Sequence, residues 1–332
     1  MSNDKSGRKK IVKALVSIII FLIATFFGVN ITDILPNDET NNPTIQSQPN
    51  NEIQEAQGQL MLYMIDVGQA DCFLLVQEDQ TALVDCGTRS TGKDAVEYLK
   101  SIGITKLDYV FGTHPHDDHM GGMYDIITSF EVGKIIVPEV EAGEVTANWY
   151  MKLVKELETG NYEVEHVNVG DVHKLGHANM KVIGPINEPN GNTNNYSTVL
   201  KVSFGEMDII MTGDAETEVE KDILSSGENV NAEILKVGHH GSDTSTSEEF
   251  LDAIDPEYAL ISSKVGNKYE HPIKSTMDKF EERKIQVYRT DENGTVVATI
   301  TSNDVTFNCE PGDYLSGIEL EERNAAWKVM LL

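Results

Sequence analysis

Short runs of branched and apolar residues, each cut off by Gly, Asp or Gln, recur along the chain from residue 60 onward. Runs at 60–66, 72–76 and 82–85 have the length and composition of strands. Helical spacing of apolar positions follows at 93–102, and another strand pattern at 107–112. Strand patterns then recur at 134–137, 162–169, 180–183, 198–204, 208–212, 233–237, 258–262, 287–289 and 295–301. Helical patterns interleave at 123–130, 149–157, 216–225, 248–254 and 275–283. Uneven alternation of this kind over about 250 residues predicts a layered α/β fold with two sheets inside and helices outside.

The first 35 residues have a different pattern. Lys5, Arg8, Lys9, Lys10 and Lys13 lead into an apolar run over 14–29, interrupted only by Ser17, Thr25 and Gly28. Such a run is long enough to span a bilayer, and the basic cluster on its amino side predicts that this end stays in the cytoplasm. The expectation is a single-pass anchor over 1–35 in the cytoplasmic membrane, with the folded domain extracytoplasmic. A cleaved signal peptide is the rival, but no A-x-A site follows the run and no cysteine there accepts a lipid. Residues 36–59 carry Asn, Gln, Glu, Pro and Thr with almost nothing apolar, the composition of a disordered polar stalk. The main folded domain then occupies 60–308, and 309–332 is a C-terminal extension with no assigned role.

Acidic residues outnumber basic ones 54 to 26 in the 332-residue chain, a formal charge of -28. A surface of that sign repels nucleic acid and anionic lipid, so any polyanionic substrate must be held locally. Bound divalent cations can do so, because they are often the largest charges in a site. The three cysteines are too few for a disulfide framework. If the strands at 73–77 and 82–85 form a hairpin centred on Asp79, Cys72 and Cys86 face each other. They are then either a disulfide in an oxidising compartment or two small buried thiols.

Six of the nine histidines fall in three short segments, each near the end of an expected strand. In the segment His114-Pro115-His116-Asp117-Asp118-His119, extended backbone points residues i and i+2 the same way, so His114 and His116 can share one ion. Pro115 favours that extended geometry in the residue before it. Asp118 and His119 enter a turn closed by Gly121-Gly122 and are aimed at a second ion. Imidazole and carboxylate without thiolate suit Zn, and also Mn. Later in the chain Gly213-Asp214 offers a carboxylate able to bridge two ions. Gly238-His239-His240-Gly241-Ser242 adds adjacent histidines, and His271 stands before Pro272.

These segments, with Asp66-Val67-Gly68-Gln69-Ala70-Asp71 and Lys236-Val237 before the histidine pair, resemble the metallo-β-lactamase superfamily, and in particular the exported hydrolase domain of ComEC-type competence proteins. The resemblance covers about residues 60–305. It implies a four-layer αβ/βα sandwich holding two divalent metal ions, Zn or Mn. His114 and His116 are then ligands of one ion, Asp118 and His119 of the other, and Asp214 the bridge. One of His239 and His240 completes the first site, with His240 preferred and His239 facing substrate, and His271 completes the second. Asp85 is the family's aspartate that braces the histidine loop, and Asp66 is a further candidate brace alongside Asp71. His166, His173 and His177 match no motif and read as surface residues. Where β-lactam-cleaving relatives carry another histidine, this chain has Asn194-Asn195-Tyr196-Ser197, which argues against a β-lactamase. It also lacks the multi-helix channel of ComEC proteins.

The expected chemistry is hydrolysis of a phosphodiester, DNA or a cell-envelope polymer. Asp118 is essential, Lys236, Asn195 and Ser242 hold phosphate oxygens, and His239 protonates the leaving group. A teichoic-acid or phosphocholine esterase, a small-ester or lactone hydrolase and a non-catalytic metal-binding module are the alternatives. No obligate protein partner is inferred.

Overall fold

The computed structural model describes residues 58–140, 143–189 and 191–330. The expected anchor and the stalk up to residue 57 lie outside the described residues. Among the described residues no helix is long and apolar enough to cross a membrane.

The chain first lays down β1 (Leu60–Met64), β2 (Phe73–Gln77), β3 (Gln80–Val84), β4 (Lys106–Phe111), β5 (Glu131–Val137) and β6 (Glu163–His166). A second sheet follows from β7 (Val172–Leu175), β8 (Ala178–Gly184), β9 (Val199–Phe204), β10 (Met207–Met211), β11 (Ile234–Lys236), β12 (Tyr258–Ile261) and β13 (Gln286–Arg289). The chain then returns to the first sheet with β14 (Val296–Ile300) and β15 (Val305–Phe307). The strand orders are β15-β14-β1-β2-β3-β4-β5-β6 and β13-β12-β11-β10-β9-β8-β7. In each sheet one half is parallel, β3 to β6 and β10 to β13, and the other half antiparallel.

Three cores separate four layers. Between the sheets, alternate positions such as Leu60, Leu62 and Met64 of β1 meet Met180, Val202 and Ile209 from the opposite sheet. Outside the first sheet lie α1 (Gly92–Ser101), the single turn α2 (Asp117–Met120), α3 (Met123–Ser129) and α4 (Asn148–Thr159). Ala95, Leu99, Met123, Ile126 and Leu153 are their inward faces. Outside the second sheet, α5 (Thr217–Ser226), α6 (Glu248–Ile254) and α7 (Lys274–Arg283) bury Ile223, Phe250, Leu251 and Phe280. Each such side chain contributes about 1.5–3 kcal/mol when buried. The expected αβ/βα sandwich is therefore the observed one.

Three local expectations change. The strand pattern at 162–169 stops at His166, because the chain crosses to the second sheet through the hairpin β7–β8. His173 on β7 is consequently buried, edge-on to Tyr109 and Phe111 with ring centroids 5.7 and 5.4 Å apart, whereas His166 and His177 are exposed. Cys72 and Cys86 are free buried thiols. Phe73 pairs with Val84 and Gln77 with Gln80, so the hairpin is centred half a residue earlier than expected and Cys72 does not face Cys86. Burial pushes both thiols up.

Residues 309–330 are folded onto the same unit. Gly312 N–H donates to the Val287 carbonyl at 2.7 Å and Gly317 N–H to the Pro272 carbonyl at 2.8 Å. The short helix α8 (Thr290–Asn293) supplies Asp291 and Glu292. Arg289, wholly buried, pairs with Asp291 at 2.7 Å and donates to the Leu315 carbonyl. Glu292 binds Arg323 of α9 (Gly317–Met330) at 2.7 Å.

Candidate metal centre

The site gathers at the carboxyl ends of the parallel strands, where open α/β sheets leave a crevice for ligands. Asp85 follows β3, residues 113–119 follow β4, Gly213-Asp214 follows β10, 238–242 follows β11 and the 262–271 loop follows β12. Close approach dictates the glycines. A Cβ on Gly122 would lie 2.1 Å from the Cys86 carbonyl oxygen, and one on Gly213 3.0 Å from Ser197 Oγ. Several non-glycine residues of these loops adopt left-handed backbone, namely Asp85 (φ 59), His239 (φ 48), His240 (φ 54) and Glu270 (φ 64). Such backbone costs of order 1–3 kcal/mol per residue and concentrates at functional sites.

Buried carboxylates and imidazoles converge there. His119 Nε2 is 3.1 Å from Asp214 Oδ1, and His240 Nε2 is 3.6 Å from Asp118 Oδ2 and 3.8 Å from Asp214 Oδ1. His114 Nε2 is 3.0 Å from His116 Nδ1 and 3.8 Å from Asp214 Oδ2, which also lies 3.6 Å from His239 Nε2. Asp214 thus stands between two groups, His114–His116–His239 and Asp118–His119–His240. Among the described residues three sets of donors lie close enough for one ion: His114–His119–Asp214 and Asp118–His119–His240, which share the His119 ring, and Asp71–Asp85–His119.

The far sides of these rings are fixed. Asp85 accepts His119 Nδ1 at 2.7 Å, Thr113 N–H at 2.8 Å and Thr113 Oγ1 at 2.7 Å. His240 Nδ1 donates to the Ser262 carbonyl at 2.9 Å. Ser197 Oγ lies 3.2 Å from His114 Nδ1 and accepts the Asp214 N–H at 2.9 Å. Each ring therefore turns its other nitrogen inward, the orientation that outer partners impose on metal-binding histidines. Among the described residues, seven buried side-chain atoms lack a hydrogen-bond partner, and four of them are His119 Nε2, His240 Nε2, Asp214 Oδ1 and His271 Nδ1. Buried polar atoms are normally satisfied, so this clustering in one place fits a cation with imidazole and carboxylate preferences.

The electrostatics agree. Burial drives the His114 imidazole well below its ordinary pKa, with the neighbouring His119 adding to the effect. Burial alone would lower His119 and His240 too, but the Asp214 carboxylate, helped by Asp85 at His119 and by Asp71 at His240, holds both above. Burial opposes ionisation of Asp118 and Asp214, yet the facing histidines keep both carboxyls below the usual range.

Several expected site residues sit elsewhere than foreseen. His240 stands with Asp118 and His119, not with His114 and His116. His271 takes part in none of these donor sets; its ring lies 5.4 Å from that of His239, and burial with the two adjacent histidines lowers it to about 4. Lys236 cannot reach substrate as expected, because it is 1% exposed and its ammonium binds Asp71 at 2.5 Å and the Gly213 carbonyl at 2.7 Å. Asn195 spends its amide on Glu218 and on the Glu216 N–H, at 3.3 and 3.2 Å, and Ser242 Oγ is bonded to Thr244 at 3.1 Å. Asp66 is exposed; its carboxylate accepts the Gly68 N–H at 3.1 Å and its backbone N–H donates to Thr295 Oγ1 at 3.0 Å. The brace on that turn is Asp71, buried, 3.4 Å from His240 Nδ1 and bonded to Ser262. Thr113 and Ser197 are braces that sequence reasoning missed.

The profile of the metallo-beta-lactamase superfamily matches residues 65–263, and the chain belongs to that superfamily. Its buried His/Asp clusters have the make-up of a metal site on that fold. Among its relatives is ComE operon protein 3 of Bacillus subtilis, 31% identical over 75% of this chain and 34% of the relative. Competence protein ComA of Neisseria gonorrhoeae is 29% identical over 70% of this chain and 31% of its own length. The chain thus spans about a third of the length of these curated relatives. In fold it is similar to CmlA, a diiron beta-hydroxylase from Streptomyces venezuelae, with a TM-score of 0.51 at 15% identity over 73% of this chain and 54% of the other.

Proposed function

We propose that this protein is a two-metal phosphodiesterase whose natural substrate is nucleic acid, held outside the cytoplasmic membrane by the basic and apolar amino-terminal segment. The observation that carries the reading is the convergence of partnerless buried nitrogens and a carboxylate oxygen around Asp214. In the proposed assignment His114, His116 and His239 would hold one ion and Asp118, His119 and His240 the other, with the Asp214 carboxylate between the two groups. His239 is three-quarters buried, and burial lowers its pKa, so at neutral pH it offers a lone pair rather than a proton. That makes it a better ligand than acid. Two divalent ions of this kind supply a hydroxide nucleophile and neutralise the charge that develops on phosphate.

The chain's own groups do the positioning. Asp85 and the Ser262 carbonyl fix the tautomers of His119 and His240, and Lys236 neutralises Asp71 beneath them. Support for nucleic acid comes from Competence protein ComA of Neisseria gonorrhoeae, from a further relative, Recombination protein 2 of Haemophilus influenzae, 30% identical over 70% of this chain, and from a weaker match to Ribonuclease J of Mycoplasma pneumoniae. The net charge of -28 favours a second reading, a cell-envelope phosphodiester that needs no basic surface.

The test offers the full chain, loaded with Mn or Zn, three substrates: an oligodeoxynucleotide, bis(p-nitrophenyl) phosphate and teichoic acid. Hydrolysis of the first two that disappears in Asp118→Ala and His119→Ala, with circular dichroism unchanged, is expected. Full activity in either variant would sink the assignment, and turnover of teichoic acid alone would select the envelope reading.

A further inference from the structure

A cleft of about 380 Å³ opens beside Asp118, lined by Gln69, Lys264, Lys268 and Tyr269 among others. Its chemistry is unlike that of the rest of this acidic molecule. Asp117, also in its wall, is paired with Arg89 at 2.7 Å, which leaves Lys264 and Lys268, both exposed, as its free charges besides Asp118. The larger cleft of about 750 Å³ is lined instead by Glu139, Glu144 and Glu188. Of these two clefts, the one that contains Asp118 is the one that offers cations to a polyanion.

Tyr269 adds a flat apolar surface. Half of it is exposed, and its ring stacks on His271 with centroids 5.6 Å apart and planes 26° apart. His271 in turn touches His239, so a row of rings leads from the metal centre to the cleft. Lys268 Nζ rests 4.5 Å from the Tyr269 centroid, on a side chain free to swing towards a phosphate. Gln69 contributes an amide whose orientation is set: Oε1 lies 3.2 Å from both Ser263 Oγ and the Lys264 N–H, leaving Nε2 a buried donor with no partner.

We infer that this cleft is the subsite for the nucleotide flanking the scissile phosphate, and that it accepts a single strand. Tyr269 stacks the base while Lys264 and Lys268 hold the adjoining phosphate. Stacking on an aromatic face requires an unpaired base, which a duplex does not present. The inference rests on the phosphodiesterase reading above.

The experiment compares kcat/KM of the Mn-loaded full chain on a single-stranded oligodeoxynucleotide, on a hairpin duplex of the same sequence, and on bis(p-nitrophenyl) phosphate. Tyr269→Ala should cut kcat/KM on the single strand at least about fivefold more than on the small diester, with Tyr269→Phe restoring it. The double variant K264A/K268A should reduce the slope of log(kcat/KM) against log salt by about 1.4 for the oligonucleotide. Equal losses on both substrates, no loss on either, or a hairpin cut as fast as the single strand would overturn the subsite. If the wild-type chain hydrolyses neither diester, the phosphodiesterase reading falls. Fluorescence anisotropy of the labelled single strand then still reads the cleft, through weaker binding by Y269A or its absence.

Discussion

Replacing Asp85 by Asn keeps the shape and the tolerance of left-handed backbone, and changes one thing only. In the native site both carboxylate oxygens accept: Oδ1 takes the Thr113 N–H, and Oδ2 takes Thr113 Oγ1 and His119 Nδ1 at 2.7 Å each. An asparagine that keeps its carbonyl on Thr113 N–H turns an NH₂ group towards His119 Nδ1. Two donors then face each other in a buried pocket, unless the imidazole moves its proton to Nε2. That nitrogen is the one 3.1 Å from Asp214, in the direction of the proposed ion. Either outcome costs: a buried mismatched donor costs about 1–3 kcal/mol, and loss of such an outer partner typically lowers metal affinity 10–100-fold. Asp85→Asn should therefore weaken Zn binding by about 1.4–2.7 kcal/mol, read by competition with a chromophoric chelator. Asp66→Asn, which alters only a turn, should leave it within twofold. Unchanged affinity in Asp85→Asn, or an equal loss in Asp66→Asn, would refute the argument that Asp85 sets the tautomer.

Lys236→Met is expected to act on folding rather than on substrate affinity, because it strands the Asp71 carboxylate without its ion pair; about 3–5 kcal/mol of stability should disappear in urea unfolding, and a raised KM with unchanged stability would restore Lys236 to the substrate site. Because carboxylates hold His119 and His240 above their ordinary pKa, both rings of the metal-free protein hold their protons more tightly than a free imidazole does. Metal loading must then release protons and tighten as pH rises from 6 to 8, which calorimetry in buffers of different ionisation heat measures; pH-independent affinity would contradict it. Native titration with a thiol reagent should modify at most Cys309, the one cysteine that is not buried, whereas unfolding without reductant should expose all three. Only one reactive thiol after unfolding would mean that Cys72 and Cys86 are bonded.

The parts of the site that were legible in the sequence are those whose geometry is local. The turn that carries Asp118 and His119 and the strand ends at Asp214 and His239-His240 need only a few residues of backbone to be inferred, whereas His114 and His116 meet through a bend closed by the His116 N–H on the His114 carbonyl at 2.9 Å and not through the extended backbone expected. What was not legible depends on contacts distant in sequence. Asp66 and Asp71 flank the same turn, but only Asp71 returns to the interior, where its carbonyl accepts the Gly87 N–H and its own N–H donates to Asp118. The available signal was the apolar company of Asp71, between Ala70 and Cys72-Phe73. Lys236 carried the same signal, a cation inside the strand Ile234-Leu235-Lys236. A charge within a doubly covered parallel strand must be paired. Which half of the centre takes His239 and which takes His240 follows from two successive left-handed residues, and no propensity at those positions announces such backbone.

That backbone also bears on how the centre is built. Four strained residues, Asp85, His239, His240 and Glu270, together cost several kcal/mol before any ion binds. They persist because loops from both sheets lock into one another: Asp85 of the first sheet holds Thr113 and His119, Ser262 of the second holds Asp71 and His240, and Ser197 ties His114 to the Asp214 backbone. None of these bonds involves a metal. Three apolar cores beneath them supply the stability that keeps the loops in place. In small metal-dependent folds the ion supplies the folding energy, and the ligands scatter without it. Here the donors are already oriented by carboxylates, hydroxyls and carbonyls, so the ions proposed above would meet a site that does not have to be assembled around them.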